Sequence, residues 1–193
     1  LSDDYPTRTG YNFVEWENNS GTTFNPGDSL SISVEEPEIY LYAVWSAHTY
    51  TIYFNGNGST SGTMSNMYNL KYGTSYTLNA NVYKKQYTIS FDENYEDITP
   101  TKITSNYNFS HWYGSDGNTY ENKETISNLV STDGGSFTMS ARWTGGSITV
   151  PTPKRTNYEF LGWYTASSGG SLVYSGGETI YPTSDKTYYA HRS

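Results

Sequence analysis

Residues 6–16 read Pro-Thr-Arg-Thr-Gly-Tyr-Asn-Phe-Val-Glu-Trp, and the Tyr-x-Phe-x-x-Trp pattern inside this stretch recurs in residues 101–112 and 153–163. A second aromatic segment follows each stretch at nearly constant distance, and these segments are residues 40–45, 137–143 and 188–192. The two Trp residues are 29 and 31 positions apart in the first two copies, and the matching position of the third copy is Arg192. Recurrence at a fixed period predicts repeats of one small unit.

A different element occurs only in the middle of the chain. Residues 50–55 (Tyr-Thr-Ile-Tyr-Phe-Asn) match residues 87–92 (Tyr-Thr-Ile-Ser-Phe-Asp). In both, Tyr, Ile and Phe alternate with other residues, which predicts a half-buried strand. Two interpretations of residues 87–92 stay open. They form either a new opening strand or a decayed version of the Tyr-x-Phe strand.

The whole chain favours an all-β or β-rich fold with little or no helix. No window keeps apolar residues at helical spacing, aromatic and β-branched residues dominate, and Gly, Asn, Asp and Ser clusters recur every 8–12 residues. Four consecutive segments are predicted. They are a first copy at 1–46 without an opening strand, an inserted Tyr-rich segment with an opening strand at 47–86, a second copy at 87–144, and a third copy at 145–193 without an opening strand.

Composition excludes several classes of partner. The 193 residues carry 11 Lys and Arg against 19 Asp and Glu, a net charge of −8, which argues against nucleic acid and anionic membrane surfaces. No apolar run is long enough to span a bilayer. The chain has no Cys, so a disulfide or a Cys–zinc site is impossible. Because the chain starts at Leu1, inside a repeat copy, we expect a longer parent polypeptide with further domains, and a missing opening strand could come from that parent.

Together, these segments resemble the Listeria–Bacteroides repeat, which is related to the B-repeats of internalins. That family reads roughly Tyr-Thr-Val-x-Phe, Asn-x-Gly-Gly, Pro-Thr-Arg-Thr-Gly-Tyr-x-Phe-x-Gly-Trp and Leu-Tyr-Ala-x-Trp. Residues 6–16 with 40–45 match closely, residues 151–164 with 187–191 match well, and residues 50–58 match the opening strand.

The resemblance implies small β-grasp-like modules, usually in tandem, on secreted or cell-wall proteins of bacteria, and it implies no catalytic residues. We therefore expect tandem modules packed together and a location outside the cell, on the bacterial surface or secreted. The chain departs from the family where Glu15 and His111 replace the Gly before the motif Trp. It also departs in lacking opening strands for two copies, so a rearrangement into two modules stays open.

No motif predicts catalysis or a resident cofactor. His48, His111 and His191 have no metal-ligand spacing, and no nucleophile or nucleotide-binding fingerprint occurs. Asp92, Asn94 and Glu96 have the spacing of the first ligands of a calcium loop, but Asp97 stands where the loop needs Gly and Ile103 where it needs Glu. The prediction is a non-enzyme without cofactor or metal, and calcium near residues 92–97 is the alternative.

Aromatic residues provide the remaining functional signal, because the chain has 21 Tyr, 7 Phe and 5 Trp. Aromatics at the repeated positions are predicted to build the cores. Aromatics outside the repeat pattern are predicted to be partly exposed, and Tyr113 and Tyr164 should point away from the Trp that precedes each. The predicted ligand-binding residues are Tyr53, Tyr68, Tyr72, Tyr83, Tyr113 and Tyr164. Polar groups proposed to assist them are Asn66, Asn69, Asn79, Asn81, Lys84, Lys85 and Gln86.

Exposed flat rings with polar neighbours suit sugars, whose C–H patches stack on aromatic faces while their hydroxyls form hydrogen bonds. The leading hypothesis is a carbohydrate-binding module for a neutral polysaccharide, specifically an α-glucan such as starch. Tyr is equally favoured at protein interfaces. The alternative is therefore an adhesin or stalk module that recognises a host or partner protein or acts as a spacer.

Overall fold

The computed structural model describes residues 1–193 and contains sixteen strands and no helix, which confirms the all-β prediction. The first eight strands are β1 (Tyr11–Glu17), β2 (Thr23–Phe24), β3 (Tyr42–Ala47), β4 (Thr49–Asn55), β5 (Met67–Lys71), β6 (Ser75–Thr77), β7 (Lys85–Asp92) and β8 (Thr101–Gly114). The others are β9 (Thr119–Tyr120), β10 (Thr125–Ser127), β11 (Gly135–Gly145), β12 (Ile148–Thr149), β13 (Phe160–Tyr164), β14 (Leu172–Tyr174), β15 (Thr179–Ile180) and β16 (Lys186–Arg192). None of its elements is a helix long and apolar enough to cross a membrane.

Two compact units form, and each is assembled from separated stretches of chain. Unit 1 comprises Leu1–Asn55, Ser65–Ala80 and Tyr113–Ser140. Unit 2 comprises Gly56–Met64, Asn81–Trp112 and Ala141–Ser193. Strands β8 and β11 run through both units, so each unit contains a part of them. The sequence-based segment boundaries do not coincide with these units.

Within unit 1, β1 pairs antiparallel with β2 and β3 and forms a three-stranded sheet in the order β2-β1-β3. Strand β4 pairs antiparallel with β5 and parallel with β11. The short strands β6 and β10 pair antiparallel. The parallel partner of β4 is the closing strand of the second copy, so β4 is the opening strand of that copy.

Within unit 2, the strands are ordered β14-β13-β16-β7-β8. Strand β7 pairs antiparallel with β8 and parallel with β16, the closing strand of the third copy. Residues 145–193 contain no opening strand of their own, and β7, from the segment that precedes them in the sequence, occupies that place. The sequence did not reveal this pairing, because the whole motif of the second copy, carried by β8, lies between β7 and β13. The second and third copies are therefore interleaved in the sequence.

A β-bulge explains the Phe-x-x-Trp spacing. Residues three apart in a regular strand point to opposite faces, and one extra residue in a bulge returns them to the same face. The β1–β3 pairing shifts register between Phe13 and Glu15, and the β13–β16 pairing shifts at the corresponding place, between Phe160 and Gly162. In the first and third copies the motif Phe and Trp rings consequently meet, with centroids 5.3 and 5.4 Å apart, and the corresponding rings of the second copy are 4.8 Å apart.

The residues before this strand form a tight turn held by a cation–π contact. In the first copy, Arg8 C=O accepts a hydrogen bond from Tyr11 N–H at 3.1 Å, and Gly10 has φ +77°. In the third copy Asn157, at φ +63°, takes the place of that Gly. A positive φ at the third turn residue is the signature of a type II turn. The turn places the Arg guanidinium 4.0 Å from the ring centroid of Tyr11 and, in the third copy, 4.2 Å from that of Tyr158.

An acidic residue closes a second turn in every copy, a regularity that the sequence analysis missed. The carboxylates of Asp28, Glu124 and Glu178 each accept a hydrogen bond from the backbone N–H three residues earlier, at 2.6, 2.5 and 2.6 Å. The residue two positions after each carboxylate is apolar and buried or half-buried, so this turn directs one side chain inward.

The cores lie under the opening strands. In unit 2 the buried cluster contains Ile89 and Phe91 of β7, packed with Trp163, Ala190, Ile148 and Val150. Phe91 and Trp163 rings are 4.9 Å apart, and the Trp163 indole N–H donates to Pro151 C=O at 2.8 Å. In unit 1 the buried residues include Ile52 and Phe54 of β4 with Phe137 and Met139 of β11. The prediction that repeated aromatics build the cores fits this packing.

We expect Trp163→Ala to lower the free energy of unfolding by about 3–5 kcal/mol, because the ring is fully buried and its removal leaves a cavity and an unpaired Pro151 carbonyl. Trp16→Ala, at the same motif position of the first copy but only half-buried, should cost roughly half as much. Urea unfolding followed by far-UV circular dichroism measures both. Equal losses would contradict this account of the cores.

Candidate binding face

Three of the six predicted binding residues lie on one face of the strands in unit 1. Tyr53, Tyr68 and Tyr113 have 43%, 61% and 39% of their surface exposed. Tyr53 pairs in register with Thr138 of β11, and the backbone of Thr138 exchanges hydrogen bonds with Ser115 on the other side. Tyr113 precedes Ser115 by two residues and so shares its face. With strands about 4.8 Å apart and Tyr113 offset by two residues along its strand, Tyr53 and Tyr113 stand about 12 Å apart on this face.

Tyr68 joins the same face from β5. Ile52 pairs with Met67, and both point inward, so Tyr53 and Tyr68, each one residue away from that pair, point outward. The β4–β5 register then shifts before the Tyr50–Leu70 pair, and Asn69 takes a left-handed φ of +55°. This bulge keeps both Met67 and Leu70 directed inward although they are three residues apart.

The outward-facing residues around these rings are polar and uncharged. They are Thr51, Asn55, Asn66, Ser115, Ser136, Thr138 and Ser140. Asn66 links the backbone to the face, because its side-chain oxygen accepts from Phe54 N–H at 3.2 Å and its amide donates to the Tyr68 hydroxyl at 3.2 Å. We call this surface, defined by Tyr53, Tyr68 and Tyr113 with these neighbours, the tyrosine face.

Two predicted binding residues instead serve packing. Tyr72 meets the Tyr11 ring edge-on at 5.8 Å and covers Gly10, where any Cβ would collide with its ring. Tyr83 is half-buried and meets the Trp112 ring at 6.3 Å, and burial raises the pKa of its hydroxyl. Both belong to the inserted segment, whose polar composition gave no sign that its aromatics pack inward.

Several polar groups proposed to assist binding are also occupied within the protein. The Asn79 amide donates to Ser65 C=O at 3.0 Å, and Asn81 exchanges two hydrogen bonds with the Tyr83 backbone. The Lys85 ammonium lies 4.5 Å from the ring centroid of Tyr107. Of the assisting groups, Asn66 belongs to the tyrosine face and Asn69 is exposed beside Tyr68.

The sixth predicted residue, Tyr164, lies in unit 2 and stacks flat on His191, with ring centroids 3.9 Å apart and planes at 8°. His191 Nε2 donates to Ala166 C=O at 2.9 Å, which fixes the imidazole under the ring. Tyr164 is half-buried and belongs to unit 2, so it is not part of the tyrosine face.

Unit 2 also contains a polar cleft that sequence reasoning missed. Arg155, Asn94, Ser167, Ser168 and His191 are among its lining residues, and its volume is about 420 Å³. The Arg155 guanidinium lies between the rings of Tyr95, at 4.0 Å, and Tyr158, at 4.2 Å. A guanidinium held flat in this way keeps its N–H donors in a fixed fork, which suits carboxylates and hydroxyl-rich ligands. The available signal was the Arg three residues before the motif Tyr in the first and third copies; the second copy has Thr104 there.

The calcium alternative concerns residues 92–97 of unit 2. Asn94 N–H bonds the Asp92 carboxylate at 2.8 Å, while the Asn94 amide donates to Ser167 C=O at 2.7 Å. Glu93 pairs with Arg192 at 3.1 Å. No group of three His, Asp or Glu side chains converges here or elsewhere in residues 1–193 in a geometry that could hold a metal.

Comparison with known protein families matches the Listeria–Bacteroides repeat domain over residues 2–44 and 130–191, just over half of the chain. The chain belongs to this family. Both matched segments contain a tight turn with Arg and the bulged Phe-x-x-Trp strand. The first also contains half of its closing strand β3, and the second most of its closing strand β16. The family is typical of bacterial surface proteins.

Among characterised sequences, the chain is similar to a protein of Evansella cellulosilytica that carries the provisional name Gly-rich membrane protein. The two are 26% identical over 168 residues, which cover 81% of this chain and 18% of that relative. The chain therefore spans less than a fifth of the relative's length. No solved structure matches the chain.

The loop after Tyr113 contains Asp116, and hydrogen bonds from neighbouring residues lower the pKa of its carboxyl group. Tyr120 donates its hydroxyl to Asp116 at 2.7 Å, and Asn118 N–H donates at 3.0 Å. Burial works to raise the pKa of Asp116, but these hydrogen bonds outweigh it and hold the pKa below its ordinary value. Burial and the bond to Asp116 raise the pKa of Tyr120 to about 12.

We expect Tyr120→Phe to raise the pKa of Asp116, because the variant removes a hydrogen bond to the ionised form. A lowered carboxyl pKa contributes stability above about pH 4 that is lost on acidification, so the variant should also lose less stability between neutral and acidic pH. Carboxyl-carbon NMR titration measures the pKa. Tyr40→Phe, which removes a similar bond to Glu38, is the control and should leave Asp116 unchanged.

Proposed function

We propose that this chain is a non-catalytic module that binds a neutral polysaccharide outside a bacterial cell, through the tyrosine face. The observation that carries the proposal is the placement of Tyr53, Tyr68 and Tyr113 on one uncharged face of unit 1. An α-glucan such as starch is the specific ligand that we propose.

Physical chemistry supports a sugar as the ligand of such a face. A pyranose ring offers a patch of C–H groups that packs on an aromatic plane, while hydroxyls around its rim exchange hydrogen bonds with Ser, Thr and Asn side chains. Rings mounted on neighbouring strands are held at fixed spacing, so a chain of sugars meets several platforms without first ordering a loop. Affinity then comes from several weak contacts in a row.

Charge supports a neutral ligand. The residues that define the tyrosine face include no acidic or basic side chain, and the chain as a whole carries −8. An anionic polymer would meet overall repulsion, and the cation on the outward side of β5, Lys71, offsets only a small part of a net charge of −8. Membership of a family typical of bacterial surface proteins supports a location where polysaccharides are available.

Native affinity electrophoresis against starch, glycogen, cellulose, xylan and mannan tests the proposal. We expect α-glucan to retard the protein, and Tyr53→Ala or Tyr68→Ala to weaken binding about three- to tenfold each, since one aromatic contact is worth about 0.5–1.5 kcal/mol. Tyr40→Ala is the matched control, because Tyr40 is 60% exposed in the same unit but lies off the face.

Each outcome separates the alternatives. Retardation lost in the face variants but not in Tyr40→Ala supports the proposal, and retardation by another neutral polysaccharide corrects only the ligand. Retardation unchanged in the face variants would move the site, with Tyr164 and the Arg155 cleft as the next candidates. If no polysaccharide retards the protein, the glycan proposal fails and a protein-binding or spacer role takes its place.

A further inference from the structure

In the second and third copies, the opening strand lies parallel against the closing strand in one common register. In the second copy, Ile52 is opposite Phe137 and Phe54 is opposite Met139. In the third copy, Ile89 is opposite Lys186 and Phe91 is opposite Tyr188. Aligned on the closing-strand Ala, which is Ala141 in one copy and Ala190 in the other, these two registers are identical.

The closing strand of the first copy has no such partner. Strand β3 is the edge of the three-stranded sheet β2-β1-β3, and only β1 pairs with it. Strand β3 is also shorter at its start, since it begins one residue before its Ala43, whereas β16 begins four residues before Ala190 and β11 begins six before Ala141. Residues 39–41 do not form a strand. In the other two copies, the residues at the corresponding positions pair with the opening strand.

Corresponding core residues are less buried in the first copy than in the second and third. Ala141 and Ala190 are 0% and 2% exposed, while Ala43 is only half-buried. Trp112 and Trp163 are completely buried, while Trp16 is half-buried. Met139 is completely buried, while Leu41 at the corresponding position is half-buried. The first copy therefore has an open core beside an open backbone edge, the combination that β-strand addition uses.

We propose that residues 39–47 form a docking site for an opening strand of the Tyr-Thr-Ile-x-Phe type, supplied by another repeat of this family. The incoming strand lies parallel to residues 39–42, with its Ile opposite Ile39 and its Phe opposite Leu41, as the registers of the other two copies dictate. Its Ile and Phe cover Leu41, Ala43 and Trp16. Residues 39–41 become strand in the complex and lengthen β3. The site is distinct from the tyrosine face.

Charge around the site fits such a strand. Glu35, Glu36 and Glu38 precede residues 39–42, and Lys84 and Lys85 precede the Ile of β7. In the common register, Lys85 of an incoming β7-type strand lies opposite Glu35. Opposite charges at the start of a parallel pair favour the proposed direction and disfavour a strand shifted by one or more residues.

A synthetic peptide of residues 84–92 (Lys-Lys-Gln-Tyr-Thr-Ile-Ser-Phe-Asp), added to the full chain, tests the proposal. We expect saturable binding by isothermal titration calorimetry. By NMR we expect at least tenfold slower hydrogen–deuterium exchange of the alternate backbone amides within residues 40–42 that face the incoming strand. A control peptide with Ile89→Asn and Phe91→Asn, which removes the inward side chains and keeps the charges, should bind at least tenfold more weakly.

Two variants of the chain test the face that the peptide contacts. Leu41→Lys places a charge on the inward face and should weaken peptide binding at least tenfold, whereas Tyr40→Lys, on the outward face of the same segment, should change it less than twofold. Neither residue lies in a strand of the free chain, and the peptide variants repeat the test on the unaltered protein.

Three results would overturn the proposal: absence of binding at millimolar peptide, protection confined to β16, or equal binding of the control peptide. Self-association of the chain through β3 that the peptide does not displace would also overturn it.

Discussion

The contact between the motif Phe and Trp is the constraint on which each repeat depends. The two residues lie three positions apart, so a regular strand would place one of the rings in solvent. The bulge between them turns both inward, and it does so at corresponding positions in the first and third copies, where Val14 and Leu161 are the exposed extra residues. The same Phe then meets the closing-strand Trp in the first two copies, at 5.8 and 6.1 Å. In the third copy Arg192 pairs in register with Phe160, as Trp45 does with Phe13, and its charge is balanced by Glu93.

Each repeat also depends on an opening strand, because the strand that carries the aromatic pair has too little apolar surface to form a core alone. The opening strand supplies the rest through its alternating Ile and Phe. The parallel pairing of β4 with β11 and of β7 with β16 joins residues that are far apart in the chain. The interleaved order means that neither the second nor the third copy can complete its core before the chain between its strands has been placed. The first copy shows the consequence of an absent opening strand, with its motif Trp and closing-strand Ala only half-buried.

The binding surface that we propose consists of residues that the repeat cores do not bury. Alternation along β4 buries Ile52 and Phe54, and it necessarily sends Tyr53 outward. The bulge at Asn69 and the pairing of β11 with β8 bring Tyr68 and Tyr113 to the same side. The tyrosine face is therefore a by-product of the core packing, and its rings are held by strands rather than by loops. A rigid aromatic platform without charge favours neutral, hydroxyl-rich ligands over ionic ones.

The sequence by itself determined the class and the local geometry of this protein. Strand alternation, turn residues and the recurrence of Tyr-x-Phe-x-x-Trp are local properties, so the all-β fold, the family and the inward position of the repeated aromatics could be predicted. The outward position of Tyr53, Tyr68 and Tyr113 also follows from local parity. Only the tertiary structure decided which opening strand serves which copy, because parallel pairing is set by long-range contacts that leave no periodic trace. For the same reason it alone separated the packing residues Tyr72 and Tyr83 from the exposed ones. The sequence already predicted a first copy without an opening strand, and the structure shows β1 as the strand that pairs with β3. A packed Tyr and an exposed Tyr are the same residue in the sequence, and the burial of each ring depends on which distant part of the chain lies beside it.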